Sequence, residues 1–254
     1  ISMLKTTSLV AVAVPYSELF FQAQVIGVRT FQPFPMLIMA SLWYLAITFA
    51  LVLIYRFVPV PTTATMLFDS EGATRDWEPL DNISPNLVRA VIAAEDGKFC
   101  THSGFDTEAI EKALQRNQRG GRLRGGSTIS QQTAKNVFLW QGSGWTRYVR
   151  KVPEVYFTFL IETIWGKRRI MEVYLNIVEM GPGIYGMPAA SKHYFGTTVD
   201  RLSPKQAARL TAILPQPIKR SVAKPSKSVR RYARRIERRV KVVRDEGIDT
   251  CLWK

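Results

Sequence analysis

The chain has 254 residues, enough for one sizeable core plus an appendage. Its 35 Lys and Arg against 20 Asp and Glu give a net charge of +15, which suits nucleic acid, anionic lipid or a phosphate-bearing substrate without choosing among them. The two cysteines, Cys100 and Cys251, lie far apart with no metal-ligand spacing; this excludes a cysteine metal site and reads as two free thiols.

Residues 1–58 form the predicted membrane region. From Met36 to Val58 the chain is uncharged until Arg56, and about 20 apolar residues suffice to cross a bilayer. Pro33 and Pro35 open this run; Pro59 and Pro61 close it. The apolar stretch upstream is broken by Pro15 and Glu18 and reads as a weaker membrane segment or an interfacial helix. A cleaved signal peptide is not expected, because the main run starts late and is too long. K-T-T-S-L-V-A-V-A-V-P-Y-S-E-L-F-F-Q-A-Q, then R-T-F-Q-P-F, resembles the tail of a polar amino-acid ABC transporter permease. The likeness covers about residues 4 to 55, without the ATPase-contacting loop or the other spans. An anchor is therefore expected here, with no transport path.

Residues 59–254 have the composition of a soluble domain. After an extended connector, Ser84 and Pro85 read as N-cap and first residue of a helix. Leu87, Val88, Val91, Ile92 and Glu95 follow at helical spacing. Glu95 thus lies on the buried stripe, where desolvation raises a carboxyl pKa and suits a proton carrier. Locally it reads equally well as an acid capping the next turn.

Thr128 and Gln131 match a capping box, so a second helix starts after the glycines at 125 and 126. Its free N–H groups and dipole predict an anion site. Gln131 and Lys135 are four apart, as are Gln132 and Asn136, and Arg119, Arg122 and Arg124 stand just before them. No Gly-Lys-Ser/Thr follows the glycines, so the pattern is not a P-loop.

Together these stretches carry a resemblance. E-D-G-K-F-C-T-H-S-G (95–104), G-G-S-T-I-S-Q-Q-T-A-K-N (125–136), R-K-V-P-E (150–154), K-R-R-I-M-E-V-Y-L-N (167–176) and G-I-Y-G-M-P-A-A-S-K-H-Y-F-G (183–196) resemble, in order, the five motifs of the monofunctional biosynthetic peptidoglycan glycosyltransferases. The resemblance implies a mainly α, lysozyme-like domain that polymerises lipid II, a 4-hydroxyl attacking the anomeric carbon of a lipid-linked sugar with inversion and loss of undecaprenyl diphosphate. It implies Glu95 as general base and Glu154 as second carboxylate, positioning cations or a divalent metal (Mg or Mn) at the diphosphate. Ser127, Thr128, Gln131, Gln132, Lys135, Asn136, Arg150 and Lys151 are then the substrate-binding set, although Arg150 and Lys151 also read as ordinary helix ion pairs. Asp96, Phe99 and His102 look like local supports, a loop-anchoring role suiting His102 better than catalysis. Ile170, Val173, Tyr174 and Ile177 form an apolar stripe, with Tyr174 and Asn176 bordering the sugar cleft. The implied partners are lipid II, the growing glycan strand and other cell-wall synthesis proteins; the implied place is the bacterial inner membrane, catalytic domain periplasmic.

The C-terminal helix has its own pattern. Val229, Tyr232, Ala233, Ile236, Val240 and Val243 make one stripe, and arginines at 230, 231, 234, 235, 238 and 239 cover the remainder. The stripe is expected to dock on the domain and the basic face to rest on anionic phospholipid. A nucleic-acid-binding protein explains the charge but neither the span nor the Glu95 motif, so no nucleic-acid partner is expected. A transport component rests on residues 4–55 alone, and a lysozyme-type hydrolase has no use for a diphosphate cradle.

Overall fold

The computed structural model describes residues 19–30, 33–118, 126–142 and 144–253. The expectations for residues 1–18 and for Arg119, Arg122 and Arg124 lie outside the described residues.

Helix α1 (Leu19–Arg29) packs along α2 (Pro33–Phe57). Helix α2 runs 25 residues and contains an 18-residue stretch of mean hydropathy 2.4, long and apolar enough to cross a bilayer. Its outward side chains, Phe34, Ile38, Leu42 and Trp43 among them, are exposed. Its last turns are part of the domain. Val52 and Tyr55 are buried in the main core, and Trp165 Nε1 donates to Val52 O at 2.7 Å. Arg169 donates to Tyr55 O and Val58 O. Those carbonyls lack an intrahelical partner at a helix end, so the domain caps its own anchor. Tyr55→Ala is expected to cost about 3 kcal/mol by opening a core cavity; an unchanged denaturation midpoint in detergent would contradict this packing.

A short helix, α3 (Ala64–Leu67), and a 3₁₀ turn lead to α4 (Pro85–Glu95). Leu87, Val88, Val91 and Ile92 of α4 are fully buried, as the spacing predicted. Ser84 holds the N-cap position without capping: its hydroxyl donates to Leu202 O at 3.1 Å, tying the helix start to a distant turn. Then come α5 (Thr107–Gln118), α6 (Ile129–Phe138), α7 (Thr146–Val149), α8 (Lys151–Ile164) and α9 (Gly166–Ile177). The chain ends in α10 (Met187–Phe195), α11 (Pro204–Thr211) and α12 (Lys227–Asp245).

Two helix groups build the core. Helices α6, α8 and α9 pack together, and α4, α11 and α12 form the other group. Glu95, at the C-terminal end of α4, lies on the seam between them. Strands β1 (Thr74–Arg75), β2 (Glu179–Gly181) and β3 (Ile184–Tyr185) make a small sheet in the order β1-β3-β2, with β1 parallel and β2 antiparallel to β3. Gly186 follows at φ 80°, and a Cβ there would sit 2.6 Å from Asn176 O. Only glycine fits between β3 and the end of α9.

The cysteines correct the sequence reading: Cys100 and Cys251 form a disulfide, Cα–Cα 5.6 Å, across 151 residues. The C-terminal turn is pinned beside Cys100 by Arg89 to Asp249 at 2.8 Å and by Arg168 Nη1 to Leu252 O at 2.7 Å. Nothing in the spacing of two cysteines shows such a contact, because it is made by helices distant in sequence. Closing so long a loop restricts the unfolded chain strongly. Cys100→Ser/Cys251→Ser is expected to lose about 2–5 kcal/mol of stability. Reductant should lower the melting temperature of the parent chain and leave the variant unmoved; equal melting of the two would refute a stabilising bond.

Candidate active site

Glu95 is partly buried, with Gln132 Nε2 donating to its Oε2 at 3.1 Å. Tyr174, fully buried on α9, donates its hydroxyl to Gln132 Oε1 at 3.3 Å. This relay orients the amide so that its N–H₂ group faces the carboxylate. Burial pushes the Glu95 pKa above the usual glutamate range, against the opposing Gln132 hydrogen bond and the charges of Arg220 and Lys135. Burial also raises the Tyr174 pKa well above the usual tyrosine value, so that hydroxyl stays a donor.

Asp96 faces the other way. Its carboxylate receives the Ile129 N–H at 3.0 Å and His102 Nε2 at 2.9 Å to both oxygens. Gly104 N donates to His102 Nδ1 at 3.1 Å, so Nδ1 is the acceptor and Nε2 carries the proton given to Asp96. The capping box on α6 is present as predicted, Gln131 N to Thr128 Oγ1 at 3.2 Å and Thr128 N to Gln131 Oε1 at 3.0 Å. Thr128 Oγ1 also donates to Gly104 O at 2.6 Å. These contacts bear on the anion cradle expected at the start of α6. Two of its first-turn N–H groups, those of Ile129 and Gln131, are taken by Asp96 and by the cap, so an internal carboxylate already sits at that helix end. Phe99, fully buried, packs edge-on to His102 with Lys167 Nζ 4.7 Å from its ring centre. Asp96 and His102 thus tie the loop after α4 to the start of α6.

Positive charge gathers further along α6. Lys135 shares its surroundings with Arg150, Lys151 and the buried Glu154. Lys151 Nζ meets Glu154 Oε1 at 2.5 Å, and Arg150 Nε lies 3.8 Å from Glu154 Oε2. Arg150 Nη1 donates to Trp140 O at 2.9 Å. Burial lowers the Lys135 pKa and the Arg150 charge adds to this, opposed by Glu154. Three cations around one carboxylate leave an excess of positive charge. Arg150 Nε, Glu154 Oε2 and Asn136 Oδ1 are buried without a hydrogen-bond partner, and buried polar groups are rarely left so. Of these, Arg150 Nε is a donor, so the cluster has the charge and a spare N–H to receive an anionic group, while the two oxygens suit a donor or a cation.

A base of raised pKa beside a cationic cluster suits transfer of a group whose leaving part is an anion. The comparisons with known proteins agree. Residues 62–245 match the family described as Transglycosylase. The chain belongs to the transglycosylase family. It is 52% identical over 204 residues to a protein of Caulobacter vibrioides, 79% of this chain and 88% of that one. Against a protein of Rhodospirillum centenum it is 48% identical over 207 residues, 80% and 88% of the two chains. Against one of Bdellovibrio bacteriovorus the figures are 45% over 225 residues, 85% and 89%. All three bear the name biosynthetic peptidoglycan transglycosylase. The chain is thus an enzyme, mainly helical as expected, and the permease resemblance of residues 4–55 finds no support in these comparisons.

The remaining predicted residues of the transglycosylase divide by position. Ser127 is exposed just before the α6 cap. Asn136 lines a small void with Thr63, Gln141, Glu179 and Tyr185. Asn176 is a structural clamp, donating Nδ2 to Glu78 O and Glu172 O and accepting from Glu78 N, each at 2.8 Å. Tyr174 reaches Glu95 through Gln132; no such path leads from Asn176.

Several residues near the site escaped the sequence reading. Glu179 acts electrostatically on Lys135 and lines a cavity of about 380 Å³ with Asp69, Trp140 and Tyr185. Tyr185 donates to Asp69 Oδ2 at 2.6 Å, fixing the cavity wall. Arg220 and Tyr232 approach Glu95 from the opposite helix group. The isolated aromatic ring among the arginines of α12 was the available signal for Tyr232; Arg220 had none.

Proposed function

We propose that this enzyme polymerises lipid II into peptidoglycan strands. What carries the reading is the placement of Glu95, held by Gln132 on the seam of the fold, beside the excess positive charge of Lys135, Arg150 and Lys151. A sugar hydroxyl is too weak an acid to attack unaided. Glu95 accepts the 4-hydroxyl proton as the oxygen bonds to the anomeric carbon of the lipid-linked sugar. The bond from that carbon to the diphosphate breaks on the far side, inverting the centre, and the departing charge falls on the cation cluster. Glu154 holds Lys151 and Arg150 in position for it. The names of the relatives support peptidoglycan as the product.

A divalent cation remains part of the proposal. Among the described residues no group of three or more His, Cys, Asp and Glu forms a metal cage. The unpartnered Glu154 Oε2 supplies one protein oxygen, which suits a magnesium-type ion bound mainly through substrate phosphates. Such an ion would add charge neutralisation at the diphosphate.

The apolar α2 supports anchoring in the phospholipid of the inner membrane, and the disulfide supports an oxidising compartment such as the periplasm for the domain. A periplasm-dependent reporter fused after Lys254 is expected to be active; activity of a cytoplasm-dependent reporter at that site would invert the topology. The decisive assay incubates purified full chain with labelled lipid II. Polymer is expected, and its absence from a folded, oxidised protein would end this reading.

A further inference from the structure

Helix α12 has two edges, one on either side of its buried stripe of Val229, Ala233, Ile236, Val240 and Val243. Tyr232 lies on the edge toward Glu95. Arg230, Arg234 and Glu237, four and then three residues apart, share the other edge. There α12 and α11 leave between them a cavity of about 550 Å³, in the size range of ligand pockets. Buried Val222, Val229 and Ala233 form its apolar floor. Lys205 and Arg209 stand on the α11 wall, Arg230 and Arg234 on the α12 wall.

Four cations thus converge on this cleft against one carboxylate, Glu237. Among the described residues none of the five takes part in an ion pair. Arg209 is fixed by Nη2 donating to Val222 O at 2.6 Å and by the Phe195 ring, 5.2 Å from its guanidinium. Lys205, Arg230 and Arg234 are exposed. Like charges four apart on one helix repel, and an anion in the cleft relieves that repulsion. The shape of the cleft selects among anions. A bilayer is a broad surface, which meets outward strips of a helix such as exposed Arg231 and Arg238 rather than the floor of a cleft. The anchor α2 also packs on α8, in the other helix group. A peptide can enter between α11 and α12, setting carboxylates against both walls and an apolar side chain on the floor.

We propose that the cleft between α11 and α12 is a docking site for an acidic peptide segment of a partner protein, its carboxylates paired with Lys205, Arg230 and Arg234 and an aliphatic side chain seated on Val222, Val229 and Ala233. Guanidinium groups bind carboxylates through two parallel hydrogen bonds. The site lies on the edge of α12 remote from Glu95, so a docked partner leaves the seam open to substrate. It stands independently of the lipid II reading above.

The test uses the oxidised full chain in neutral detergent and a fluorescent peptide of alternating glutamate and leucine. Anisotropy should show saturable binding, weakened about tenfold or more by Arg230→Glu/Arg234→Glu, the loss expected for one or more charge-assisted hydrogen bonds. Lys205→Glu, on the opposite wall, should weaken it as well. Arg231→Glu/Arg238→Glu makes the same charge change on the outward strip of α12 and should leave the affinity unchanged. Equal weakening by the two arginine pairs would reduce the effect to the general field of the helix and overturn the proposal. So would binding indifferent to Lys205→Glu, or no saturable binding by the parent chain. Phosphatidylglycerol added to the micelles is the rival occupant. If it displaces the peptide from the parent and binds more weakly to Arg230→Glu/Arg234→Glu, the cleft belongs to lipid headgroups and the proposal fails. Lipid II turnover by Arg230→Glu/Arg234→Glu should match the parent; a fall would place these arginines in substrate handling instead.

Discussion

Glu95→Gln is expected to lower turnover at least a hundredfold, general-base catalysis being worth about 10² to 10⁴ in rate. The variant keeps the size of the side chain and a partner for Gln132, so lipid II binding should persist. Measuring turnover and binding side by side separates chemistry from affinity; polymerisation at near-parent rate would leave Glu95 as a mere helix-end acid. The pH profile is a second check. Burial raises the Glu95 pKa, and only the ionised form accepts a proton. Activity should therefore rise with pH through a limb above the ordinary glutamate range, and Glu95→Gln should abolish that limb. Stability should move the opposite way. A carboxyl whose folded pKa is raised binds more protons folded than unfolded, so its ionisation destabilises the fold as pH climbs past the unfolded value. At neutral pH the glutamine variant should melt no lower than the parent, which rules out unfolding as the cause of lost activity.

Lys135→Ala is expected to reduce kcat by about 10² to 10³, the usual cost of removing one group aimed at developing negative charge. Lys135 stands where burial and Arg150 disfavour its own charge. An ammonium held against that cost is poised for an anion that arrives, and removing it relieves repulsion with Arg150 and Lys151. The fold should therefore survive. Single-turnover rates with labelled lipid II and circular dichroism on the same sample test both halves of the claim. Unchanged rates would remove the leaving-group role from α6 and leave Arg150 and Lys151 as a structural ion-pair group around Glu154. Glu154→Gln should also impair turnover, by freeing Lys151 and Arg150.

Features whose cause is local were legible in the sequence. The α2 span follows from an apolar run of sufficient length, the α6 start from a capping box, and the buried faces of α4 and α12 from helical spacing. In each case the residues that interact lie within a turn or two along one helix, or meet a bilayer whose thickness is known. The five motifs likewise located Glu95, Lys135 and Glu154 along the chain. Tertiary structure decided what occupies those local frames. The start of α6 has the chemistry of an anion site, yet Asp96, 33 residues earlier, takes the Ile129 N–H. Cys100 pairs with Cys251 only because α4 and α12 pack together. Arg220 and Tyr232 reach Glu95 across the same contact, more than a hundred residues away in sequence. Helical periodicity specifies which face of a segment is buried, not which other segment covers it. That choice is made jointly by all the helices as they exclude water from a single core.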